Sequence, residues 1–215
     1  MELLPLLRSN RLVAIVRGRA ADAALRSVLA LADEGVKLIE VSLTTEGALG
    51  VIARARADLG PHAVIGAGTV LTAQDAGDAR AAGAAFIVTP GLGAGVDEAI
   101  RLGLPTLAGA FTPSEVVAAR AAGATAVKLF PAAQAGGPGY LKALRSPFPD
   151  VAFVPVGGVD AESGRGYLQA GAVAIGVGSP LVGDAADGGD LGALRLRARS
   201  YLRVLADEAA AGGGQ

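Results

Sequence analysis

Two charged residues interrupt runs that otherwise read as buried: Lys128 in "AVKLFPA" (126–132) and Glu40 in "KLIEVSL" (37–43). Removing an ammonium or a carboxylate from water is costly, so such residues are seldom buried without a partner or a task. The chain carries sixteen arginines and only three lysines, Lys37, Lys128 and Lys142. Against that preference, a lysine in an apolar run points to chemistry that arginine cannot do. Desolvation lowers a lysine's pKa and frees its amine to attack a carbonyl carbon and form a Schiff base, whereas guanidinium stays protonated. A carboxylate facing the same space is the natural shuttle for the protons that such a reaction moves. The plainer reading is a buried structural ion pair, a contact that apolar residues often replace without loss.

What positions these two residues is a repeating pattern of short apolar runs. Eight occur, at 12–18, 37–43, 63–69, 85–91, 105–111, 126–132, 152–158 and 172–179. They are continuous rather than alternating, as in parallel strands covered on both faces. Ala-rich segments of helical spacing separate them, and several end in a glycine before the next strand: Gly35, Gly83, Gly103, Gly123 and Gly171. A glycine there predicts a left-handed helix cap. The spacing of twenty residues between Gly83, Gly103 and Gly123 marks an iterated unit. Eight strand–helix units predict an α/β fold, a (β/α)8 TIM barrel forming one domain over residues 1–215. An open doubly wound sheet is the competitor, but "RGRAAD" after the first strand lacks its glycine fingerprint. An amphipathic last helix is expected at about 190–210, with a disordered tail at about 210–215.

In a barrel, functional groups lie at the C-terminal ends of strands. That selects Arg17, Glu40, Thr44, Thr69, Thr89, Thr112, Lys128 and Ser179. Gly157 and Gly158 in "VPVGGVD", with Gly178 and Ser179 in "IGVGSPLV", follow the seventh and eighth strands, where exposed backbone N–H groups make a phosphate site. Arg17 is either a ligand for a substrate carboxylate or a surface charge, and Phe130 either packs on the reacting carbon skeleton or fills the core. His62, the single histidine, is expected at the opposite end of the barrel in solvent. No ligand-spaced cluster calls for a metal, and no cofactor is required. The formal net charge of −1, without a basic block, gives no nucleic-acid footprint. Zero cysteines exclude thiolate chemistry. No long uncharged apolar stretch predicts a membrane span, and "MELLPLLRSNR" does not read as a secretory signal, so a cytoplasmic enzyme acting on a small molecule is expected. Two other readings stay open: a phosphosugar isomerase or epimerase, and a non-catalytic sugar-phosphate-binding barrel.

The ordered series "VRG", "IEVSLTTEGA", "IGAGTVL", "FIVTPGL", "AVKLFPA", "VPVGGV" and "GVGSPLV" resembles the 2-keto-3-deoxy-6-phosphogluconate (KDPG) aldolase family, from about residue 10 to 205. That family includes 4-hydroxy-2-oxoglutarate aldolases and 2-keto-3-deoxy-6-phosphogalactonate aldolases. The resemblance implies a class I Schiff-base aldolase that releases pyruvate and glyceraldehyde 3-phosphate, or pyruvate and glyoxylate. It assigns the Schiff base to Lys128, proton handling to Glu40, the pocket to Thr69, Pro90 and Phe130, and the phosphate to Gly157, Gly158, Gly178 and Ser179. It also implies a homotrimer. One position departs: Thr44 stands where many gluconate-type members carry an arginine for the pyruvate carboxylate. Galactonate-type relatives share that departure and resemble "GPGYLKAL" (137–144); there Arg17 would take the carboxylate. "RSPFPD" (145–150) resembles the gluconate type, so the motifs leave the epimer open.

Overall fold

In a computed structural model of the chain, the described residues are 2–60 and 63–212. Eight parallel strands run β1 (Leu12–Val16), β2 (Leu38–Ser42), β3 (Val64–Gly68), β4 (Ile87–Val88), β5 (Thr106–Ala110), β6 (Ala126–Leu129), β7 (Phe153–Pro155) and β8 (Ile175–Val177). Their order in the sheet is β7-β6-β5-β4-β3-β2-β1-β8. A bridge between Val156 and Gly176 and a hydrogen bond from Val173 N–H to the Phe153 carbonyl bring β7 onto β8, which closes the barrel. Each strand lies inside the run that the sequence pattern marks, and none extends beyond it.

The continuous apolar runs have a direct cause. One set of residues, including Val13, Ile15, Leu38, Phe86, Val88, Leu107, Ala126 and Val154, fills the barrel interior. The alternate set, including Leu12, Ala14, Ile39, Val41, Ile65, Val127 and Leu129, packs against the surrounding helices. Both faces of the strands are therefore largely apolar, and Glu40, Ser42, Thr106 and Lys128 are the buried polar exceptions on them. The outer ring contains α2 (Ala21–Asp33), α3 (Ala48–Leu59), α4 (Ala73–Ala81), α5 (Ala94–Arg101) and α6 (Pro113–Ala122). Gly35, Gly83, Gly103, Gly123 and Gly171 all adopt positive φ at helix ends, as their placement predicts.

The sequence pattern did not mark the first helix of the structure, α1 (Leu3–Asn10). Its Leu3 and Leu7, four residues apart on one face, join the interior cluster and plug the N-terminal end of the barrel. Between β6 and β7 lie the single turn α7 (Ala132–Ala135) and α8 (Gly137–Arg145), and α9 (Ala161–Gln169) follows β7. After β8 come the short α10 (Ser179–Val182), a 3-10 turn (Ala185–Asp187) and α11 (Leu191–Gly212). Arg195 and Arg199 of α11 form ion pairs with Asp33 and Glu34 at the end of α2, tying the last helix to the first of the ring. Helix α11 runs to Gly212, so 210–212 is helical where a disordered tail was expected; 213–215 and His62 lie outside the described residues.

Candidate active site

The interior register determines which groups meet at the C-terminal mouth. On β2 the inward series is Leu38, Glu40, Ser42; on β6 it is Ala126, Lys128, then Phe130; on β1 it is Val13, Ile15, then Arg17. In the sheet order β2 and β6 are four staves apart, which in an eight-stave barrel is opposite sides. Lys128 and Glu40 thus face one another across the mouth. Both are buried, at 6% and 2% exposure. Among the described residues no salt bridge joins them. They feel each other as charges at longer range, which is not the tight pair that a structural ion bridge requires.

Burial dominates both titrations. It pushes the Glu40 carboxyl above the usual carboxylate range, against the pull of Lys128 and Arg17. It pushes the Lys128 ammonium below the usual lysine range; Glu40 opposes that shift and the Arg17 charge adds to it. The outcome is an amine more readily deprotonated, opposite a carboxyl more readily protonated. The ammonium nitrogen sits 5.0 Å from the centre of the Phe130 ring, a cation–π contact that connects Lys128 to the cavity above.

That cavity, about 330 Å³, gathers six of the residues singled out from sequence: Arg17, Phe130, Gly157, Gly158, Gly178 and Ser179. Ile15, Val156 and Asp187 also line it. The loop after β7 turns sharply through Gly157 and Gly158, at φ of 96° and 70°. A Cβ on Gly158 would crowd that of Ala133 at 2.5 Å, so the backbone itself forms the wall. Among the described residues, the N–H groups of Gly158 and Gly178 donate to no backbone carbonyl, and Ser179 opens α10 with its own N–H unspent. These donors converge from two neighbouring loops on one cavity. Helix α9 contributes less, because Asp160 already caps it through Ser163 N–H at 2.8 Å.

The remaining candidates fall elsewhere. Thr69 does not line the cavity; it sits at the end of β3 in a left-handed conformation, φ 59°, unusual for a β-branched residue. Its hydroxyl bonds that of Ser42 at 2.9 Å, and Ser42 in turn reaches Thr44 at 2.8 Å, giving a chain of three hydroxyls one inward step above Glu40. Pro90 lines a separate hollow with Val70, Leu71 and Gly91, but its backbone folds over Gly109, the β5 partner of Lys128. Thr112 is a helix cap: its hydroxyl accepts from Glu115 N–H at 3.4 Å, and Glu115 accepts from Thr112 N–H at 2.7 Å. Thr89 is buried and accepts from Gly109 N–H at 3.1 Å, a bond between strand ends. Sequence reading missed Asp187, which lies in a 3-10 turn with no pattern to announce it, and the hydroxyl role of Ser42, which inward parity with Glu40 could have flagged.

Comparison with known proteins bears on the same arrangement. The family model "KDPG and KHG aldolase" matches residues 4–194. The 2-dehydro-3-deoxy-phosphogluconate aldolase of Pseudomonas aeruginosa is 43% identical over 143 residues, 65% of this chain and 63% of that enzyme, just under two-thirds of its length. The KHG/KDPG aldolase of Escherichia coli K12 is 36% identical over 199 residues, 92% of this chain and 93% of that one. The solved KDPG aldolase of Legionella pneumophila, with pyruvate captured as a covalent carbinolamine intermediate, superposes with a TM-score of 0.86 at 27% identity, covering 94% of this chain and 98% of that one.

Proposed function

The chain belongs to the KDPG and KHG aldolase family, and from that premise we propose a class I aldolase that cleaves 2-keto-3-deoxy-6-phospho sugar acids, with Lys128 as its nucleophile. The observation that carries this reading is the buried, depressed amine of Lys128 facing a buried carboxyl across the mouth, with no ion pair between them among the described residues.

The chemistry follows from the groups present. The free amine of Lys128 adds to C2 of the keto acid, and loss of water gives a protonated imine. Glu40, acting through a water, takes the proton of the C4 hydroxyl. The C3–C4 bond breaks, its electron pair moves into the imine as an enamine, and glyceraldehyde 3-phosphate departs. A proton returned to C3 with help from Glu40 regenerates the imine, and hydrolysis frees pyruvate and the lysine. The imine is the electron sink, so the cycle needs no metal. A carboxyl whose pKa is raised by burial suits both halves of this proton traffic.

The cavity supports the rest of the assignment. Arg17 pairs with the carboxylate, taking the task that an arginine at position 44 performs in other members; Phe130 packs on the carbon chain. Gly157, Gly158, Gly178 and Ser179 hold the phosphate through backbone N–H groups and a hydroxyl. Thr69 and Pro90 shape the mouth from the β3 and β4 side. Cleavage of 4-hydroxy-2-oxoglutarate to pyruvate and glyoxylate uses the same lysine without the phosphate contacts. The enzyme works in the cytoplasm, in sugar-acid breakdown of the Entner–Doudoroff type, as a homotrimer. Exposed Leu71, Leu92, Phe111 and Val117, on successive loops and helices beside the mouth, support self-association; a monomer in native mass spectrometry rejects the trimer.

The decisive experiment is borohydride reduction with pyruvate, followed by peptide mass spectrometry. A reduced pyruvyl adduct on Lys128 is expected, and its absence rejects the Schiff base. A coupled pyruvate assay on both 6-phospho epimers and on 4-hydroxy-2-oxoglutarate then assigns the preferred substrate.

A further inference from the structure

Arg17 lines the cavity, yet among the described residues no hydrogen bond or ion pair holds its guanidinium. A side chain without partners is aimed by its backbone. That backbone is strapped from both sides. The β1 ladder to β2 ends at Val16 opposite Val41. Beyond it, Gly18 N–H donates to the Thr45 hydroxyl at 3.3 Å, and Arg19 N–H donates to Asp187 Oδ1 at 2.7 Å. Thr45 is buried in the loop after β2, and Asp187 closes the 3-10 turn after β8. Strands β2 and β8 flank β1 in the sheet, so the neighbouring loops on either side clamp the loop that carries Arg17. Gly18 completes the fit, since a Cβ there would overlap the Ala186 carbonyl.

Asp187 would otherwise be hard to explain. A carboxylate on the wall of a cavity for phosphorylated acids repels its ligand. Here its charge is offset by the Arg19 guanidinium at 3.6 Å, and its oxygen is engaged by the backbone of the β1 loop.

We propose that Thr45 and Asp187 are positioning residues, which fix the Arg17–Arg19 turn so that Arg17 faces the cavity and thereby set affinity for the anionic substrate. The inference rests on the reading of Arg17 as a substrate ligand. It separates binding from bond cleavage, because neither residue approaches Lys128 or Glu40 in the hydrogen-bond network.

The test uses steady-state kinetics on a 2-keto-3-deoxy-6-phospho sugar acid, with thermal unfolding as the control for folding. Thr45→Val and Asp187→Ala should each raise KM roughly three- to tenfold, the value of one lost hydrogen bond, with kcat within about twofold. Thr45→Ser keeps the hydroxyl and Asp187→Asn keeps an oxygen acceptor, so both should restore KM. In an Arg17→Ala background the two KM effects should vanish, because the residues act through Arg17. Unchanged KM in the single variants, or an undiminished effect in the Arg17→Ala background, overturns the proposal. An unchanged KM in Arg17→Ala alone rejects the ligand role of Arg17 first, and the inference falls with it. Asp187 is exposed, so that arm stands even if the buried Thr45→Val variant folds poorly.

Discussion

Replacing both buried charges, as Glu40→Gln with Lys128→Met, should abolish catalysis and make the protein more stable. Lys128 and Glu40 are 6% and 2% exposed, and neither is joined to a partner by a salt bridge among the described residues. With no salt bridge between them the charges are more than 4 Å apart, and an effective dielectric of about 20 limits their attraction to less than about 4 kcal/mol. Against it stand two desolvation penalties of several kcal/mol each. Burial is the largest influence on both groups, so the penalty wins. A gain of about 1–4 kcal/mol is expected for the double variant. For a chain of this size, each kcal/mol moves Tm by about 2–4 °C. Order matters as well. Arg17 favours the Glu40 carboxylate and disfavours the Lys128 ammonium, so Glu40→Gln alone should be less stable than Lys128→Met alone. The pH dependence has a definite sign. Glu40 is raised, so its cost is absent below its unfolded pKa near 4.5 and appears as pH rises through the folded value. Lys128 is lowered, so its cost is full below the folded value and fades as pH approaches 10.5. The gain should therefore peak between those limits and shrink at both extremes. Calorimetry on wild type, both single variants and the double variant across pH 5–9 reads all of this. A double variant no more stable than wild type refutes the reasoning and restores the structural ion pair.

Three further outcomes are expected. Gly68→Ala puts a Cβ where the Glu40 carboxylate lies, so kcat should fall about 100-fold or more while circular dichroism keeps the barrel spectrum. Lys128→Arg keeps the charge but not a titratable amine, so pyruvate release should drop to background; retained pyruvate release would reject Lys128 as the nucleophile. Because burial holds the Lys128 pKa down and Arg17 adds to that, kcat/KM should rise with pH to a plateau reached below 10.5, and Arg17→Ala should move the midpoint upward. A midpoint that stays fixed or moves down in a pH–rate profile contradicts that electrostatic link.

The strands were legible because burial on two faces writes itself as uninterrupted apolar runs, and the helix ends because left-handed caps need glycine. Lys128 and Glu40 stood out for the complementary reason: each breaks such a run; alternation put Glu40 on the face of Leu38, and only the interior packing of Leu38 and Ala126 identifies that face as the inward one. Their opposition across the mouth also follows from counting four staves from β2 to β6 in a barrel of eight. Other features had no one-dimensional signature. Helix α1 looks like a stray apolar run containing Pro5, and only the open end of a barrel explains why Leu3 and Leu7 should be buried together. Thr112 at a strand end has the address of a functional group, but Glu115 three residues later makes it a cap. Asp187 reaches the site through tertiary packing of the β8 loop on the β1 loop, a contact between residues 168 positions apart in the chain.

The same reasoning explains why so many inward positions near the two charges are glycine. An eight-stave barrel has just enough room for interdigitated side chains. Gly66 and Gly68 lie beside Glu40, and Gly109 pairs with Lys128. At each, the space a Cβ would need is already occupied: by the Phe86 ring at Gly66, the Glu40 carboxylate at Gly68 and the Pro90 backbone at Gly109. The absence of a side chain at Gly68 lets the Glu40 side chain lie against β3. It also keeps the two charges apart, since a carboxylate that reached the lysine would raise its pKa and hold the amine protonated. The glycines that narrow the packing and the distance that frees the nucleophile are thus one arrangement, and Gly68 is where a single added methyl group tests it.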